Sequence, residues 1–138
     1  MAFETPENTP QDGQVQPPII SDYADGGFTI GGAFTKGGVL ITGAEGTGFS
    51  ITPWAVDDAD KIDAASLAPL YQTPELPNLI VLGVGAKMQH PFLKLRAELS
   101  KHAIAVEILT TPAACRTWNL LLSEGRKVAF AAIAMADE

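Results

Sequence analysis

Short runs of β-branched and aromatic residues, broken by glycine, occupy the chain from Ile19 to Val56: FTIGGAF (28–34), GGVLITG (37–43) and GFSITPWAV (48–56). Phe28 with Ile30, Val39 with Ile41 and Phe49 with Ile51 stand two residues apart among small or polar neighbours, the period of a strand covered on one face. Lys36-Gly37 and Glu45-Gly46 carry turn chemistry between the runs, so this half predicts antiparallel strands. The stretch DDADKIDAASLAPL (57–70) is polar at its start, and Asp63 is placed to cap a short helix that Pro69 interrupts.

After Pro77 the pattern becomes strand NLIVLGV, helix PFLKLRAELSKH, strand AVEIL, helix PAACRTWNLLLSE and strand VAFAAIA, a βαβαβ run. In the first helix Pro91 suits the opening position and Phe92, Leu95, Leu99 and Ala103 share a stripe. In the second, Thr111 can cap, Pro112 opens, Ala114, Trp118, Leu121 and Leu122 form the apolar face, and Gly125 ends it. Right-handed crossovers would make the three strands parallel, with the first and third apolar on both faces and therefore central. The fold class that follows is α/β in the mixed α+β sense: N-terminal antiparallel strands joined to a C-terminal βαβαβ unit in one mixed sheet with flanking helices.

Residues 1–18 hold four prolines among polar side chains and too little apolar surface to offset the entropy of ordering, which predicts a flexible Pro-rich tail before a single globular domain over 19–138. A composition of 46% hydrophobic and 18% charged residues suits such a domain. No run reaches the roughly 18 apolar residues of a membrane span, and the polar, acidic start is unlike a targeting peptide, so the expected location is cytoplasmic. The net charge of −7 is uneven, with two basic against eleven acidic residues up to position 76 and seven against five thereafter. No basic stripe interleaved with aromatics is present, which argues against a nucleic-acid partner. One cysteine excludes an internal disulfide.

Candidate chemistry is sparse. Gly83 and Gly85 follow a strand as in a dinucleotide-binding turn, with Glu107 about twenty residues on, but Met88 stands where a small residue is needed and five residues separate Gly85 from Pro91. A tight turn using positive φ or close backbone approach accounts for both glycines. Asp58, Asp60 and Asp63 lack the glycine and bidentate glutamate of a calcium loop, and no metal or cofactor is assigned. Cys115 lies in the first turn of the second helix, where the dipole and Arg116 could activate it, yet its spacing lets it point inward and no base is adjacent, so it reads as packed. His90 reads as a loop residue and His102 as part of a last helical turn; Trp118 reads as core and Asn119 as a half-buried hydrogen-bonder. Glu107 would pair with Arg116 or Arg126 if covered. No catalytic residue is assigned.

The segments ISDYADGGFTIGG, GVGAKM, the V-E of AVEIL and above all TPAACRTWNLLLSEGR resemble the small α/β family of unknown biochemical function, widespread in bacteria and archaea, that includes the mitochondrial assembly factor three of respiratory complex I. The likeness covers about residues 19–134. It implies a compact mixed-sheet domain, a non-enzymatic role in building complex I and no established catalytic residues; the missing presequence suggests a bacterial member. The expected function is therefore a non-enzymatic interaction protein resembling a complex I assembly factor. Its partner would be a protein, respiratory complex subunits being the candidates, and it would sit at the inner membrane only through that partner. The alternative is a small-molecule or anion binder, or weak enzyme, at the carboxyl ends of the parallel strands, with Gly83, Gly85, Lys87, Thr111 and Arg116 as the binding residues. Oligomeric state is left open.

Overall fold

A computed structural model of the chain describes residues 17–44, 48–74, 76–88 and 91–135. The predicted tail therefore lies almost wholly outside the described residues, as do Glu45-Gly46 and His90. Strands β1 (Ile20–Asp22), β2 (Gly27–Ile30) and β3 (Ala33–Lys36) form an antiparallel sheet in that order. Strands β4 (Gly38–Ala44), β5 (Gly48–Trp54), β6 (Leu79–Gly83), β7 (Ala105–Leu109) and β8 (Val128–Ala132) form a mixed sheet of order β5-β4-β8-β6-β7. Helices α1 (Ala68–Tyr71), α2 (Leu93–Ser100) and α3 (Thr111–Ser123) complete the fold.

The α/β class stands, and β6, β7 and β8 are parallel with the doubly apolar β6 and β8 inside and β7 at the edge. The expected single sheet is instead two. FTIGGAF is not one strand, because Gly31 and Gly32 at φ 57° and 88° turn the chain back and pair Ile30 with Ala33. Two successive positive-φ residues give the turn whose twist matches a hairpin. The chain then crosses to the second sheet at Gly37-Gly38. Gly37 has φ 82°, and a Cβ on Gly38 would lie 2.9 Å from the Ala132 carbonyl oxygen, so side-chain-free backbone is what lets β4 enter beside β8.

The five-stranded sheet is covered on both faces. One side buries Leu40, Ile80, Leu82 and Ala131 with Leu67, Leu70, Leu95 and Leu99; the other buries Val39, Ile41, Val81 and Phe130 with Trp118, Cys115, Phe28 and Ile30. The expectation of one covered face therefore fails for β4, where Leu40 is buried as well as Val39 and Ile41, because α1 and its approach cover the second face. It fails for Ile51 in the opposite sense: β5 is an edge strand and Ile51 is exposed.

Local chemistry explains most boundaries. Asp63 Oδ1 accepts the Ser66 N–H at 2.8 Å while Ser66 Oγ accepts the Asp63 N–H at 3.2 Å, a reciprocal cap on the turn 65–67. Pro69 then sits in the opening turn of α1 rather than interrupting a helix. The first long helix starts at Leu93, not Pro91, because Phe92 has φ 54° and cannot be helical. Ala103, expected on its stripe, is exposed at φ 61° and closes the helix, with the Ile104 N–H donating to Leu99 O at 3.2 Å. Helix α3 opens through Pro112 and ends at Gly125 (φ 70°), close to the expected bounds.

Candidate functional site

Thr111 was expected to cap α3 and to greet an anion. It is instead the first helical residue, fully buried, and its hydroxyl holds the ends of two strands together. Thr111 Oγ1 donates to Ile133 O at 2.8 Å and accepts the Gly85 N–H at 2.9 Å. Thr111 N–H donates to Gly85 O at 2.8 Å, and the Ile133 N–H to Gly83 O at 2.9 Å. Gly83, Gly85, Thr111 and the end of β8 are thus one hydrogen-bonded corner. A Cβ on Gly83 would stand 3.0 Å from Ala132 Cβ and from Thr111 Cα and Oγ1, so this glycine serves close approach, whereas Gly85 (φ 96°) serves the turn. The N–H groups of Val84, Gly85 and Thr111, the donors an anion would use there, are already given to Leu109 O, Thr111 Oγ1 and Gly85 O. Lys87 and Arg116, the charged members of the predicted set, are both exposed.

The remaining single residues fall into structural places. Cys115 is 2% exposed, and burial pushes its thiol up to about 12 despite the neighbouring Arg116 charge, which acts in the opposite direction. A thiol held neutral is a poor nucleophile, and the side chain packs with Trp118 and Phe130. Glu107 lies exposed on the edge strand and is not covered, so the premise of a buried ion pair fails; Arg126 stands 3.8 Å from Glu124 instead. His102 lies just past α2 with its ring 4.8 Å from that of Tyr71. Trp118 Nε1 donates to Pro18 O at 2.9 Å, and Asn119 both accepts the Ile20 N–H and donates to Ile20 O, each at 2.9 Å. Asn119 thereby acts as a strand edge for β1.

A second concavity was not among the predicted residues. A cleft of about 560 Å³ separates the loop Ala59–Ala65 from the start of α2, with Ile62, Phe92, Leu93 and Leu95 as its large apolar members and Asp60, Asp63, Lys94 and Glu98 as its charged ones. That size lies in the range of small-ligand and peptide-anchor pockets. Leu93 is 70% exposed, the highest value among the large apolar side chains described. Phe92 is held in the left-handed region, a conformation costing a bulky residue on the order of 1–3 kcal/mol and kept only where the surroundings impose it. The sequence did contain a signal: Leu93 falls off the Leu95–Leu99 stripe, so it had no buried position to fill.

A mixed sheet with α2 and α1 on one face and α3 with a small antiparallel sheet on the other defines an α/β protein whose parallel-strand corner is closed by its own side chain. The chain belongs to the family described as a protein of unknown function (DUF498/DUF598), whose pattern matches residues 20–133. It is 34% identical over 115 residues to the zebrafish (Danio rerio) NADH dehydrogenase [ubiquinone] 1 alpha subcomplex assembly factor 3, covering 83% of this chain and 63% of the relative. The chain thus spans less than two thirds of that protein's length. It is 35% identical over 116 residues to an uncharacterised protein of Rhodobacter capsulatus, covering 84% of each. Among solved structures, a Rhodopseudomonas palustris protein superposes with a TM-score of 0.71 at 26% identity, over 88% of this chain and 85% of the other. A Bordetella pertussis protein described as a Mth938-like domain superposes with a TM-score of 0.71 at 20% identity, over 100% of this chain and 95% of the other, a likeness of fold.

Proposed function

We propose that this protein is a non-enzymatic assembly factor for a respiratory complex, complex I being the candidate, and that it works by protein–protein contact. The observation that carries the reading is the 34% identity, across 83% of the chain, to a relative named as a complex I assembly factor. Two features of the fold support it. The corner where an α/β protein usually holds its ligand has its backbone donors engaged by Thr111, Gly85 and Leu109. The cysteine is buried and held as a neutral thiol, which leaves it inert. Among the described residues no helix is long and apolar enough to cross a membrane.

The test is genetic and biochemical. Deleting the gene in its native host should lower NADH:ubiquinone oxidoreductase activity of isolated membranes and leave subassemblies on native gels, and the wild-type gene should restore both. Normal activity and a normal band pattern in the deletion strain would overturn the reading. If instead Lys87→Glu with Arg116→Glu abolishes saturable binding of phosphate or a carboxylate to the purified protein, the crevice alternative takes its place.

A further inference from the structure

The geometry points to the cleft between Ala59–Ala65 and the start of α2 as the docking site for a basic, amphipathic peptide segment of the partner. The inference rests on the assembly reading, since it names the chemistry of the partner's contact. Three observations converge. The cleft has an apolar floor in Ile62, Phe92 and Leu95 and an apolar lip in Leu93, whose side chain is largely in solvent. An exposed leucine beside a concavity is the kind of surface that an apolar anchor from another chain covers. The charged lining is unbalanced, with Asp60, Asp63 and Glu98 against Lys94, and Asp58 precedes it on the same loop, where Asp57 and Lys61 offset each other as an ion pair at 3.0 Å.

Charge decides the occupant. A carboxylate or phosphate ligand entering this cleft would meet a net negative wall, while a lysine or arginine flanking an apolar anchor would meet complementary potential. A second copy of this chain is a poor fit for the same reason, because its net charge of −7 opposes close approach. The peptide that fits presents one or two leucine-like side chains to the floor and places its cations toward Asp60, Asp63 and Glu98, as an amphipathic helix does with anchors at i and i+3 or i+4.

The test uses the full-length protein labelled with nitrogen-15 and three synthetic 12-residue peptides: one with leucines at helical spacing and lysines between them, its lysine-to-glutamate counterpart and its leucine-to-serine counterpart. The lysine–leucine peptide should shift amide resonances of residues 59–65 and 92–98 saturably, the other two should bind at least tenfold more weakly, and affinity should fall as salt rises. Leu93→Asp and, separately, Glu98→Lys should each weaken binding about tenfold or more with melting close to wild type. Equal binding of the glutamate peptide, shifts confined to another face, or no binding by any peptide would each overturn the proposal. In the deletion strain the two readings separate: full complementation by Leu93→Asp and Glu98→Lys would remove the cleft and keep the assembly role, whereas a deletion strain with normal complex I would remove the assembly role itself.

Discussion

Thr111 shows how one hydroxyl can decide what a loop is for. Its oxygen is both donor and acceptor on a fully buried residue, so its removal strands the buried Ile133 carbonyl and takes the partner from the part-buried Gly85 N–H. A buried group left without a partner costs about 1–3 kcal/mol, and Thr111→Val keeps the volume while removing both bonds. Thr111→Val should therefore destabilise the protein by about 2–3 kcal/mol in urea unfolding, while Thr111→Ser should recover most of the loss. Equal stability of the valine variant would show that the hydroxyl does not hold the corner. Cys115 makes a second residue-scale prediction. Burial raises its thiol from 9.0 to about 12, so between those values the unfolded chain loses a proton that the folded chain keeps. Stability is then fully present below pH 9 and falls as pH rises toward 12, with a slope of at most about 1.4 kcal/mol per pH unit from this group. Cys115→Ala should flatten that slope when unfolding is compared at pH 8, 9.5 and 10.5, and the native thiol should react with a maleimide far more slowly than a free cysteine. An unchanged slope would sink the assignment.

At the scale of elements, the small sheet is held to α3 by side chains of one helical turn. Asn119 gives β1 the donor and acceptor that a neighbouring strand would give at Ile20, and Trp118 holds Pro18 just before it. Asn119→Ala should cost about 1–3 kcal/mol, the loss of two partly buried backbone partners. Hydrogen exchange at Ile20 should accelerate more than exchange at Val81 in β6; uniform acceleration would mean that the clamp is part of the global core instead. The β2–β3 hairpin depends on two positive-φ glycines in the same way. Replacing Gly31 and Gly32 by alanine should cost roughly 1–2 kcal/mol for each residue, since an L side chain is strained there even though nothing else stands in its way.

For the whole molecule, the packing on α3 reaches back to Pro18 but the first sixteen residues carry no apolar pattern that could dock. Removing residues 1–16 should leave the melting temperature nearly unchanged. Extending the deletion through Asp22 removes β1, its bonds to Asn119 and the buried Ile20, and should lower the melting temperature by roughly 5 °C or more. A large loss on the shorter deletion would defeat the expectation of a dispensable tail. The two sides of the five-stranded sheet share β4, β6 and β8, whose residues point alternately into each apolar cluster. Residues 19–138 are therefore expected to unfold in one cooperative transition, with fluorescence and circular dichroism giving coincident curves.

What the sequence determined by itself was carried by local signals strong enough to survive any context. The doubly apolar runs of β6 and β8 required central places in a parallel sheet, and Pro112 and Gly125 bracketed α3. The motif TPAACRTWNLLLSEGR carried the family. Tertiary structure alone decided the rest. Whether FTIGGAF was one strand or a hairpin depended on two glycines whose φ the composition leaves open, and the number of sheets followed from that turn. Pro91 is compatible with opening a helix, but Phe92 lies in the left-handed region and the helix starts at Leu93. Thr111 could cap a helix or bridge two strand ends, and only the approach of Gly83 and Ile133, distant in sequence, chose the second. The acidic loop and the start of α2 are some thirty residues apart and share no pattern, so the cleft between them exists only once the sheet has brought both to one end. Periodicity and caps report forces that act within a few residues, whereas a concavity is made by the meeting of surfaces that the chain order does not connect.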